Sequence, residues 1–164
     1  MYSVNDAVVY GTNGVCVITA IEERNFSGEN IEYYILRPVD NEKNTFYVPV
    51  SNSMLTNKMH NVCTKQEINR LINIIGNECP FWIDNEDKRK KEYTYAIETG
   101  DRLQLFRIIK TIYNKNAELN AQHKKLHASD EKFFKQAENI LYSEFAYSLD
   151  IPKDEVTDYI KKHI

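Results

Sequence analysis

Asp6-Ala7-Val8-Val9-Tyr10-Gly11-Thr12-Asn13-Gly14-Val15-Cys16-Val17-Ile18-Thr19-Ala20-Ile21-Glu22-Glu23 decides how the amino-terminal part of the chain folds. Two β-branched runs, 8–10 and 15–21, flank Gly11-Thr12-Asn13-Gly14, and glycine and asparagine tolerate the positive φ of a tight reversal. The stretch predicts a β-hairpin.

Working outward, residues 24–30 form a second polar turn containing Gly28, and the runs 31–38 and 45–50 are rich in Ile, Tyr, Val and Phe, separated by the turn-like 40–44. Four or five short strands in so short a stretch must curl to cover their own hydrophobic face. This predicts a small, strongly bent antiparallel sheet or partly open β-barrel of the Tudor or SH3 kind. Residues 51–57 read as a loop. Thr64-Lys65-Gln66-Glu67 then has the form of a capping box, Ile68, Leu71, Ile72 and Ile75 follow at helical spacing, and Gly76 is placed to end that helix.

Beyond Pro80 the periodicity is helical throughout. A helix is predicted over 86–97, closed by Thr99-Gly100. Asp101 caps a long one carrying Leu105, Ile108, Ile109 and Ile112 and reaching about Gln122. Ser129 is expected to cap a third, with Phe133, Phe134, Ala137, Ile140, Leu141, Phe145 and Leu149 on its apolar stripe. Pro152 suits the first turn of a last helix carrying Val156, Tyr159 and Ile160. The fold class expected is α+β: a small barrel over 1–58, a connecting helix and linker over 59–79, and an all-helical bundle over 80–164.

Chemistry is sparse. Cys16, Cys63 and Cys79 have no paired spacing and no Cys-x-x-Cys joins the four histidines, so neither disulfide nor metal is expected. No apolar run approaches the ~20 residues of a bilayer span and the first residues lack a signal-peptide pattern, which predicts a soluble, cytoplasmic protein without membrane contact. There is no glycine-rich phosphate loop, Gly-x-Ser-x-Gly elbow or His-Glu-x-x-His, so the reading is a binding protein without cofactor, not an enzyme.

The net charge of −3 hides a local excess: residues 88–125 hold 10 basic and 4 acidic residues, a net +6. The run Lys88-Arg89-Lys90-Lys91, followed by Arg102, Arg107, Lys110, Lys115, Lys124 and Lys125, could neutralise phosphates if gathered on one face; a solvated helix face is the plain alternative. Trp82, the single tryptophan, reads as a packing residue from its spacing or as a wedge at a nucleic-acid interface.

Together these residues resemble the CarD family of bacterial transcription regulators. The stretch 4–11 with Asn13-Gly14-Val15 is similar to the family opening V-G-D-x-V-V-Y-P-x-H-G; Ile21 to Arg24, Gly28, Tyr33 to Arg37 and Val48-Pro49 follow in the same order. Thr99-Gly100-Asp101 and residues 137–149 resemble the family's S-G-D and A-R-x-I-L-x-x-E-L-A-x-A-L. The resemblance implies a Tudor-like domain that docks on the RNA polymerase β subunit. It also implies a helical domain that contacts promoter DNA through backbone and minor groove without reading sequence, adjusting open-complex stability.

By the same resemblance, Arg24 matches an arginine of the β-subunit contact, and Tyr47 stands where some members carry a basic residue just before Val48-Pro49. Trp82 resembles the family tryptophan at the bubble edge. Lys88, Arg89, Lys90 and Lys91 resemble the basic residues after it, displaced by the inserted Ile83-Asp84-Asn85-Glu86-Asp87. Asn114-Lys115 replaces an arginine pair, and Lys124 and Lys125 lie in or beside a second insertion, 117–126. The alternative is a polymerase-bound adaptor whose acidic insertion has cost it DNA contact. An unpaired strand edge leaves the oligomeric state open.

Overall fold

The computed structural model describes residues 1–41 and 43–164, which form two compact units, 1–62 and 63–164. The first is a five-stranded antiparallel sheet: β1 (Ala7–Tyr10), β2 (Val15–Asn25), β3 (Asn30–Pro38), β4 (Phe46–Pro49) and, after a one-turn helix α1 (Ser53–Thr56), β5 (Met59–Asn61). The expected loop 51–57 therefore contains a helical turn, with Asn52 accepting the Leu55 N–H. The hairpin of 6–23 is present. Gly11, at φ 51°, opens its 3-10 turn and Gly14, at φ 74°, closes it.

The strand order is β4-β3-β2-β1-β5, and among the described residues no ladder joins β4 to β5. The sheet is thus not closed into a barrel, the open form among those expected for so few strands. Its edge strands have only four and three residues, and its hydrophobic face is covered by other means: Leu55 of α1 and Tyr2 lie against it, the Tyr2 hydroxyl donating to the Met59 carbonyl at 2.8 Å. That face holds Val8, Cys16, Ile18, Tyr34, Leu36, Val48 and Met59. The register of β2 against β3 slips by one residue at Thr19, whose hydroxyl donates to the Ile35 carbonyl.

The second unit contains α2 (Lys65–Asn77), α3 (Glu86–Thr99), α4 (Arg102–Ala121), α5 (Ala128–Leu149) and α6 (Val156–His163), the last entered through a 3-10 turn after Pro152. Local chemistry sets most boundaries. Thr64 Oγ1 accepts the Glu67 N–H while Glu67 Oε2 accepts the Thr64 N–H; Gly100 is left-handed at φ 66°; and Asp101 accepts the Gln104 N–H at 2.9 Å. Ser129 is not the expected cap. His127 holds that position without a side-chain bond, and Asp130 and Glu131 place negative charge in the first turn instead.

Residues 59–79, expected as a connector, divide between the units: β5 pairs with β1, whereas Ile68, Ile72 and Ile75 of α2 are buried in the helical core. Gly76 does not end α2. A Cβ there would lie 3.3 Å from Ile164 Cγ2, so the glycine marks a close approach. Because Ile164 is 66% exposed its side chain can give way, and Gly76→Ala is expected to stabilise the unit by about 0.5–1 kcal/mol through better helix propensity, read as a higher melting temperature.

Candidate binding surfaces

Alternation along the strands sorts the sheet residues between two faces. Arg24 pairs with Ile31, Glu22 with Tyr33, Ile35 with Tyr47 and Tyr33 with Pro49, so Arg24, Ile31, Tyr33, Tyr47 and Pro49 share the face opposite the core. Phe26, 63% exposed at the hairpin end, meets Tyr33 and Tyr47 edge-on with centroids 5.4 and 5.2 Å away. Arg24 is exposed and pairs with Glu22. An apolar, aromatic patch beside a solvent-facing guanidinium is suited to a protein partner. Of the four positions singled out in the sequence, Arg24, Tyr47 and Pro49 lie on this face. Val48 does not: it is fully buried opposite Tyr34 and belongs to the core.

In the helical unit Trp82 lies half-buried in the segment between α2 and α3. The Arg89 guanidinium stacks 4.3 Å from its ring centroid, and Lys115 Nζ lies 5.4 Å from the same ring. Arg89 is itself buried. Its Nε and Nη2 donate to Asp130 Oδ1 and Oδ2 at 2.8 and 2.9 Å, and its Nη1 donates to the carbonyl of Ile83 at 2.7 Å and more weakly to that of Asp84. Hydrogen bonding to Asp130 raises the Arg89 pKa further, so the guanidinium stays charged.

This geometry separates the basic residues. Arg89, expected among the phosphate contacts, is 2% exposed and committed to Asp130; it cannot meet DNA. Lys90 pairs with Glu86 and Lys115 with Glu118, while Arg102 and Arg107 pair with Glu144 and Glu78, and Lys110 donates to carbonyls at the end of α2. Lys88, Lys91, Lys124 and Lys125 are exposed and, among the described residues, engaged in no ion pair. The inserted acids are helix-start groups: Asn85 caps α3 by accepting the Lys88 N–H, and Glu86 and Asp87 occupy its first turn.

The sequence reading missed Asp130 and Glu144. Glu144, 2% exposed, accepts the Cys63 N–H at 2.7 Å and bonds from Arg102. A signal was available, because both acids fall in phase with the apolar stripe of α5 that includes Ala137, Ile140, Leu141 and Phe145. Burial pushes the Cys16 and Cys63 thiols up to about 11 and about 12, which leaves them protonated and poor nucleophiles. Among the described residues no cluster of three or more His, Cys, Asp or Glu could hold a metal, and no helix is long and apolar enough to cross a membrane.

Comparison with known proteins gives matches to both parts. Residues 2–62 match the family model of the CarD-like/TRCF RID domain, and residues 71–161 match that of the CarD carboxy-terminal domain. The chain is also similar to a putative transcription factor, YdeB, of Bacillus subtilis, at 24% identity over 159 residues covering 97% of this chain and 99% of the relative.

Proposed function

Because the chain belongs to the CarD-like family of transcription regulators, we propose that its sheet docks on the RNA polymerase β subunit while its helical unit contacts promoter DNA, changing the lifetime of the open complex. The family consists of transcription factors, not enzymes. The observation that carries the reading is the outer sheet face, where exposed Arg24, Phe26 and Tyr47 stand together around buried Tyr33 within the segment matched to a polymerase-interacting domain. On the helical side the contact is made by Trp82 with Lys88, Lys91, Lys124 and Lys125, in the cytoplasm, where the polymerase works.

The mechanism is tethering. Docking raises the effective concentration of a weak DNA-binding unit at the promoter, so a few phosphate contacts suffice, and the Trp82 edge favours whichever DNA state it fits better. DNA contact through four unpaired lysines predicts affinity that falls with salt, with a log–log slope of roughly −3 to −4. The adaptor alternative predicts none.

The first test is capture of a purified β-subunit fragment by the wild-type protein and by Arg24→Glu. Reversal puts a second carboxylate beside Glu22 on an exposed site, so stability should change by less than about 0.5 kcal/mol. Binding should fall at least about tenfold, equivalent to ~1.4 kcal/mol. Equal capture of both proteins removes Arg24 from the interface, and no capture of the wild type removes the docking reading.

A further inference from the structure

The segment that carries Trp82 has no regular secondary structure between Asn77 and Glu86, yet a wedge must be held at a fixed angle to act. On one side the segment borders a cavity of about 240 Å³ lined by Phe81, Ile83, Tyr93 and Lys110 among others, so close packing does not fix it there. Phe81 is 79% exposed. On the other side stands Arg89, which applies three different restraints at once. Its guanidinium carbon lies 4.3 Å over the indole, one nitrogen holds the carbonyls of Ile83 and Asp84, and the remaining edge is fixed by a two-point bond to Asp130.

We propose that the buried Arg89–Asp130 pair is a positioning clamp that sets the orientation of Trp82, tying the indole and the backbone after it to the first turn of α5. The clamp's use in transcription rests on the DNA-contact reading of Trp82 above. Arg89 is a positioning residue: it touches no DNA. The role requires the planar fork. A lysine at 89 could keep the charge near Asp130, but a single ammonium cannot present a flat face to the indole and two parallel bonds to a carboxylate together. An ion pair serving stability alone would place no such demand, and its contacts would have no reason to converge on one aromatic ring and the two carbonyls beyond it.

Trp82 is the single tryptophan, so fluorescence excited at the red edge, where the tyrosines do not absorb, reports this site alone. Two variants of the full chain are compared with wild type. Arg89→Lys retains the charge. Arg89→Met with Asp130→Leu removes both charges together, which avoids stranding one of them and is compatible with folding. Acrylamide quenching and anisotropy of Trp82 are measured beside the melting curve and the lifetime of the polymerase–promoter complex. The clamp predicts that each folded variant shows at least a twofold rise in the quenching constant and lower anisotropy, with promoter-complex lifetime reduced to that of Trp82→Ala.

Unchanged quenching and anisotropy in the folded double variant overturn the clamp; if that variant fails to fold, the same result in Arg89→Lys overturns it. Full restoration by lysine of both fluorescence and lifetime also overturns it, since any cation would then serve. If Trp82→Ala leaves promoter lifetime unaltered while the Arg89 variants free the indole, the clamp stands and the DNA-contact reading falls.

Discussion

Asp130→Ala is expected to cost about 3–5 kcal/mol, because it leaves the Arg89 guanidinium buried without its carboxylate. The side chains of the two partners are 3% and 0% exposed, so water cannot replace the lost acceptors without opening α3 from α5. Against a total stability of roughly 5–15 kcal/mol for a domain, this approaches unfolding. Urea denaturation reads it as a lowered midpoint, with the slope unchanged if the native state is as compact as before. A loss below about 1 kcal/mol would mean that solvent reaches Arg89 after all. The Glu144–Arg102 pair is less exposed to this penalty. Glu144 is equally buried, but the Arg102 side chain is 31% exposed and can be partly resolvated.

Phe145→Ala is expected to cost about 3–5 kcal/mol by a different route, the loss of transfer free energy together with a cavity. Phe145 is fully buried in α5 and meets Phe106 of α4 edge-on at 6.1 Å. Thermal unfolding should show a fall of roughly 10 °C or more for a unit of this size. The effect should reach both helices at once, so hydrogen exchange near Ile108, Ile109 and Ile112 should quicken along with that near Leu141. Faster exchange confined to α5 would place Phe145 outside the shared core.

What was legible in the chain was decided by neighbours in sequence. The hairpin at Gly11 and Gly14, the Thr64–Glu67 capping box, the Asp101 cap and the left-handed Gly100 each depend on a few consecutive residues, and each is found. What was illegible depended on distant partners. Gly76 is small because of Ile164, and Arg89 is buried because of Asp130, 41 residues away. Its place in a Lys-Arg-Lys-Lys run concealed this, although Arg89, Tyr93, Ala96 and Ile97 share the inward helical spacing. Val48 was a failure of period two, which sets it opposite Tyr47 and Pro49. Whether a sheet closes is set by where its short edges end, and neither β5 nor α1 has enough residues to announce itself.

The slip at Thr19 has a consequence for how this domain can vary. Before it, the even-numbered Cys16 and Ile18 face the core; after it, the even-numbered Ala20, Glu22 and Arg24 face away and Ile21 faces inward beside Tyr34. One residue acts as a half-period phase shift, so the two ends of a single strand obey opposite hydrophobic rules. The stem is free to drift under packing constraints while the arm drifts under those of a partner. A deletion at Thr19 that conserved every other residue would remove only the extra residue, letting Ile18–Leu36 and Ala20–Ile35 follow in unbroken alternation, so Arg24 would keep its face.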